Sequence, residues 1–158
     1  MENNQEISFD IFLRNFKNNV SKIGLKNSIQ KDYILKMDIE GSEWDFFANA
    51  ESSDIEKFRQ MILEIHWLDG LRANDERYNR MVSVLSKINA THNLVLIHGN
   101  NFSPLFNYGD LVIPDVIEVL YLRKDSYNFV DDDEEFFDHP EYLNAPCTSE
   151  IPEINYYL

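Results

Sequence analysis

Positive charge is scarce in this chain. Of 158 residues, 14 are lysine or arginine against 28 aspartate or glutamate, a formal net charge of −14. That balance disfavours nonspecific binding to nucleic acid or to an anionic membrane, because both need a basic face to release counterions. Cysteine is nearly absent: Cys147 stands alone, so there is no intrachain disulfide and no cysteine-based zinc site to expect. Glycine occurs five times, Gly24 and Gly41 are isolated, and no G-x-G pattern exists. A glycine-rich loop that cradles a phosphate or a nucleotide cofactor is therefore missing. No apolar run is long enough to cross a bilayer. The stretch 1–9 is polar and acidic and lacks the basic-then-apolar order of a secretory signal, so a cytoplasmic protein is expected.

What remains is enough for a folded domain. Apolar residues make up 44% and aromatics 13%, and the length suits one core rather than two. Phe9, Phe12, Leu13, Phe16, Val20 and Ile23 recur at helical spacing, which predicts a helix over about 8–23, stopped by Gly24. A strand is expected at 33–37, then a helix at 43–49, a turn beginning at Ser52, and a strand at 61–65. A loop at 68–75 leads to a helix over about 74–90, on which Tyr78, Met81, Val82, Leu85 and Ile88 follow helical spacing. A third strand at 93–98, an irregular loop at 102–113 with Pro104 and Gly109, and a last strand at 116–123 complete the body. Alternating helices and strands imply an α/β fold with a mostly parallel sheet. The last two strands lack an intervening helix and are expected to pair antiparallel. From 125 to 158 the composition turns acidic, with Asp131 to Glu135 as a block, and this tail is expected to be a solvated appendage of a body spanning 1–124.

Chemistry concentrates at the strand ends. The run Lys36-Met37-Asp38-Ile39-Glu40-Gly41-Ser42-Glu43 carries three acids around one glycine, just past a strand, where open α/β sheets bind ligands. Ser42 is a candidate helix cap, and Glu43 then complements the helix dipole. Asp38 as a mere strand terminator is an equally open reading. Strand alternation places Glu64 and His66 on one side of the next strand, and neighbouring strands lie about 5 Å apart. Asp38 and His66 are thus expected to face one pocket, as acid, base or divalent-metal ligands. A partly buried His66 hydrogen-bonded to Glu64 is the alternative. Glu40 either closes the turn by accepting backbone N–H groups or contacts substrate. His98, Asn100 and Asn101 close the third strand, as acceptor contacts or simply as a tight turn. Glu118 is expected to pair with a cation such as Arg123 or Lys36. Trp44 and Trp67 are candidates for core packing or for walls around a sugar ring, and His92 and His139 read as surface residues.

The acidic run resembles the signature of FkbM-type methyltransferases, in which a lysine, an aspartate, a Glu-Gly pair and a second glutamate are spaced as they stand at 36–43. The opening 7–12, the strand Leu63-Glu64-Ile65-His66, the turn His98-Gly99-Asn100-Asn101 and the closing stretch 113–124 are similar to further segments of that family, in the same order. The resemblance implies S-adenosylmethionine as cofactor and a hydroxyl of a sugar or polysaccharide precursor as acceptor. Asp38, Glu64 and His66 are then catalytic, and Glu40, His98, Asn100 and Asn101 bind substrate. It also implies a class I methyltransferase sheet, with its last strand inserted antiparallel, of which the first three strands and the glycine-rich turn are not found here. The chain would then be a fragment or divergent form that associates with a missing half or with itself. A noncatalytic module for acceptor binding or dimerisation is the second reading, and a metal-binding domain without transfer activity the third.

Overall fold

The computed structural model describes residues 32–73, 75–129 and 146–151. The expected helix at 8–23 and the acid block at 131–135 lie outside the described residues. Strand β1 (Tyr33–Met37) leads through helix α1 (Glu43–Asn49) and the single-turn helix α2 (Ser52–Ile55) into strand β2 (Phe58–Ile65). A 3-10 turn (Leu68–Arg72) precedes helix α3 (Glu76–Thr91), strand β3 (His92–Gly99), the hairpin β4 (Leu105–Tyr108) and β5 (Leu111–Pro114), and strand β6 (Ile117–Arg123).

Strands β1, β2, β6 and β3 form one sheet in that order, with β4 and β5 as a separate ribbon. β1 and β2 pair parallel, while β6 pairs antiparallel with both β2 and β3. The sheet is therefore not mostly parallel, as the alternation of elements predicts. β1, β2 and β3 do run the same way. But β6 returns from β3 without a helix and enters between β2 and β3, which turns two of the three neighbour pairs antiparallel. The stretch 102–113 is likewise not irregular: it holds β4 and the first three residues of β5, closed by Gly109 at φ +60°. Glycine tolerates that left-handed turn at no steric cost.

Alternation decides what each strand buries. Leu35 and Met37 of β1, Met61, Leu63 and Ile65 of β2, and Val119 and Tyr121 of β6 point to one face. There they form a single core with Trp44 and Phe47 of α1, Ile55, and Met81, Val84 and Ile88 of α3. Spacings of three and four along α3 line one stripe of that helix, as an amphipathic packing face requires. Asp75 caps α3 by accepting from the Arg77 N–H at 2.8 Å. Lys87 of the same helix donates to the carbonyls of Phe47, Ala48 and Ala50 at 2.9 to 3.0 Å, supplying partners to the C-terminal end of α1. The opposite sheet face carries exposed Ile34 and Ile62 and half-buried Leu120 and Leu122.

His92 corrects a sequence expectation. It is 1% exposed, not a surface residue. Its Nε2 lies 2.8 Å from the Phe58 carbonyl and its Nδ1 2.8 Å from Thr91 Oγ1. A carbonyl only accepts, so Nε2 carries the proton and Nδ1 accepts from the hydroxyl. Burial lowers the pKa of this imidazole below its ordinary value.

Candidate functional site

The turns after β1, β2 and β3 meet at one end of the sheet. The turn after β1 is built around Gly41, at φ +97°, preceded by Glu40 at φ +56°. Two consecutive left-handed residues swing the chain back sharply, and only glycine takes such a φ freely. The turn after β2 holds Trp67 at φ +63°, and its indole lies over Gly41. A Cβ at position 41 would stand 1.6 Å from Trp67 Nε1. Gly41 thus answers two demands at once, a backbone angle and the close approach of an aromatic ring.

Glu43, not Glu40, closes this turn. Glu43 is 1% exposed, and its Oε1 accepts the Ile39 N–H at 2.9 Å. The same oxygen lies 3.3 Å from His66 Nδ1. Ser42 stands at the helix N-cap position, but its side chain makes no capping hydrogen bond. Trp44 is buried and donates from Nε1 to the His66 carbonyl at 2.7 Å, so it fixes β2's exit rather than walling a pocket. Trp67 is 57% exposed beside the acids and remains the aromatic surface of this end.

The ligand atoms of Asp38, Glu64 and His66 all lie within 4.8 Å of one another. Asp38 follows the last residue of β1, and Glu64 and His66 straddle the end of β2, so parallel pairing brings the three together. His66 Nε2 lies 3.5 Å from Glu40 Oε2, whose side chain is 87% exposed. His66 thus has a buried carboxylate at Nδ1 and a solvated one near Nε2. Solvent screens the second far more than the first. The approach to Glu43 is electrostatic and not a hydrogen bond, since His66 Nδ1 and Glu43 Oε2 are buried without a hydrogen-bond partner among the described residues. Glu64 accepts from Asn100 Nδ2 at 3.0 Å. Partial burial, reinforced by the Asp38 carboxylate, raises the Glu64 carboxyl above its ordinary value, and the Asn100 hydrogen bond offsets part of this. Carboxylates and an imidazole so arranged can accept a proton, orient a hydroxyl or hold a divalent cation.

The remaining sequence candidates separate. Asn100 joins the cluster through Glu64, and its Oδ1 also accepts the Phe102 N–H. His98 stands on β3, two strands from Glu64 with β6 between, and its Nδ1 is 3.4 Å from Glu118 Oε2. Asn101 is buried and commits its amide to the segment 146–151: Nδ2 donates to the carbonyls of Thr148 and Ile151, and Oδ1 accepts the Thr148 N–H. Glu118 does not pair with Arg123 or Lys36. It lies between Glu64 and His98 in the strand register, and its Oε1 accepts from Cys147 Sγ at 3.6 Å. Arg123 instead reaches Asp125 and the Glu56 carbonyl. Sequence alone does not show Glu43 beside His66, Glu118 beside His98, or Cys147 beside Glu118. Alternation along β6 was the available signal, since it puts Glu118 on the same face as Glu64.

Among the described residues no helix is long and apolar enough to cross a membrane. A sequence model described as the methyltransferase FkbM domain matches residues 8–101. No curated protein and no solved structure matches the chain.

Proposed function

The chain belongs to the FkbM methyltransferase family, and from that membership we propose that it forms the acceptor side of an S-adenosylmethionine-dependent O-methyltransferase. The acceptor on this reading is a hydroxyl of a sugar or polysaccharide precursor. The observation that supports it best is the convergence of Asp38, Glu64 and His66 at the ends of two adjacent parallel strands. Methylation of a hydroxyl leaves one proton to remove; on this reading His66 Nε2 takes it, and the buried Glu43 carboxylate 3.3 Å from Nδ1 favours the imidazolium. Asp38 and Glu64 accept hydrogen bonds from the reacting hydroxyl and its neighbour, which holds a diol in one orientation. A divalent cation on the same three residues is the variant of this scheme that their donor set also suits. Trp67 offers its exposed ring to the apolar face of a sugar.

The described residues do not fit the cofactor itself. The glycine turn between β1 and α1 is filled by the Trp67 indole, so it leaves no cradle for a nucleotide or an amino-acid carboxylate. On this reading the cradle comes from outside the described residues. The same observation favours a second reading, a noncatalytic acceptor-binding or dimerisation module. So does β1, whose outer side pairs with no strand among the described residues. Such an edge invites association.

Two measurements on the full chain separate these. The first is calorimetric titration with S-adenosylmethionine and its demethylated product, with and without magnesium. The second is transfer of a labelled methyl group to a panel of hexoses and nucleotide sugars. Cofactor binding together with transfer supports the enzyme. A folded chain that binds sugars but neither cofactor form supports the module.

A further inference from the structure

A second cluster of metal-ligating side chains lies next to the first and takes no part in the scheme above. His98 of β3 and Glu118 of β6 stand directly opposite each other in the antiparallel register. Cys147 reaches them from the segment 146–151. The three ligand atoms lie within 4.8 Å of one another. Two of the contacts are already shorter: His98 Nδ1 to Glu118 Oε2 is 3.4 Å, and Cys147 Sγ to Glu118 Oε1 is 3.6 Å. Ligands bound at about 2.0–2.3 Å around a tetrahedral zinc stand roughly 3.3–3.8 Å apart. The two short contacts use different oxygens of Glu118, so a turn of that carboxylate is needed to bring one oxygen, the imidazole and the thiol from within 4.8 Å to coordination spacing.

Charge supplies an independent argument. Glu118 stands opposite Glu64 on the neighbouring strand as well. Like charges directly across a strand pair are unfavourable. Among the described residues neither carboxylate forms an ion pair with a lysine or arginine. Among the described residues His98, Cys147 and Asn100 are the groups that offset this pair of carboxylates, and a cation would offset it further. The Cys147 arm is also held in place. Asn101, three residues after His98, makes three hydrogen bonds to Thr148 and Ile151 and so ties the cysteine's segment to the histidine's turn.

We infer that His98, Glu118 and Cys147 form a zinc site that staples the segment 146–151 to the end of the sheet. One nitrogen, one carboxylate oxygen and one sulfur are a borderline-soft donor set that suits Zn²⁺ and not Mg²⁺ or Ca²⁺. The described residues supply three donors, which leaves the fourth position of a tetrahedral zinc open among them. On binding, the metal–sulfur bond forms as the Cys147 thiol gives its proton to water. Without a cation, partial desolvation of the otherwise exposed thiol and the Glu118 carboxylate raise its pKa above the ordinary value.

Cobalt(II) is the probe, because a bound cysteine thiolate gives it a ligand-to-metal charge-transfer absorption. The full chain titrated with Co²⁺ develops that band to saturation at one equivalent, and Zn²⁺ displaces it. Cys147→Ser, at an exposed position, removes the band without unfolding the chain. Glu118→Gln and His98→Gln weaken the affinity, and Asn101→Ala lowers it by about tenfold through loss of the arm's anchor. Asp38→Asn leaves the band in place, which separates this site from the neighbouring cluster. Absence of the band in the wild-type chain, or a band undiminished by both Glu118→Gln and His98→Gln, overturns the inference.

Discussion

The two clusters at the end of this sheet are built by opposite means. Asp38, Glu64 and His66 gather where parallel strands end, and their turns carry three residues with positive φ: Glu40, Gly41 and Trp67. His98 and Glu118 sit inside regular strands, paired in register. Irregular turns cost free energy, and the surrounding contacts must hold them: here the Glu43 carboxylate and the Trp67 indole. Regular strands cost nothing extra, but they can only offer side chains at fixed spacing. The first arrangement suits groups that must be aimed at a reacting atom, the second suits groups that share a passive partner. This is why the acid turn reads as chemistry and the histidine–glutamate pair as a staple.

Four changes break or sharpen that contrast. His66→Gln keeps the ring's hydrogen-bonding capacity but removes the base. If the proposed function holds, it lowers methyl transfer by about 10²–10⁴-fold, measured by labelled-methyl incorporation, while circular dichroism stays unchanged. Gly41→Ala strikes the first cluster's scaffold, since the new Cβ meets Trp67 and φ +97° disfavours any side chain. It costs about 3 kcal/mol in urea unfolding, and Trp67→Ala in the same chain recovers the part due to collision. Glu43→Ala leaves the Ile39 N–H and His66 Nδ1 without their carboxylate and costs about 2 kcal/mol. A stability unchanged by Glu43→Ala would remove this residue as the clamp of the turn. The smallest effect comes from His92, which belongs to neither cluster. Its pKa is lowered in the folded state from 6.5, so the unfolded chain takes up the proton first. Its contribution is complete above about pH 6.5 and is lost as pH falls from there towards the folded value. Thermal midpoints followed over that range in the wild type and in His92→Gln isolate the contribution, because the variant lacks this slope.

Much of this end of the molecule was legible in the sequence. The helix expected at 43–49 is α1 (Glu43–Asn49), and the meeting of Asp38, Glu64 and His66 follows from alternation and strand spacing alone. What was not legible depends on neighbours in space. The hairpin at β4 and β5 buries little beyond Phe106 and Pro114, so its pattern carries weak hydrophobic contrast and its proline and glycine suggest a loop. His92, between two polar residues, looks like a surface group until β3's register sets it beside the Phe58 carbonyl. Glu43 could be assigned to the helix dipole on local grounds, and only the fold brings His66 to it. The sheet's proportions went astray for a related reason. Element order gives strand direction, but the place of β6 decides which strands touch.

That place has a consequence for synthesis on the ribosome. Among the described residues β6 is the last strand of the sheet to emerge, yet it occupies an interior position, between β2 and β3. Until residue 123 has cleared the exit tunnel, β2 and β3 have no common partner among the described residues. β1 and β2 can pair early, with α1 and α3 closing over them, but the sheet as a whole cannot close by growing outward from its first strands. The nascent chain must hold a gap open and fill it last. During that interval the apolar run of β3 is the segment most in need of a chaperone.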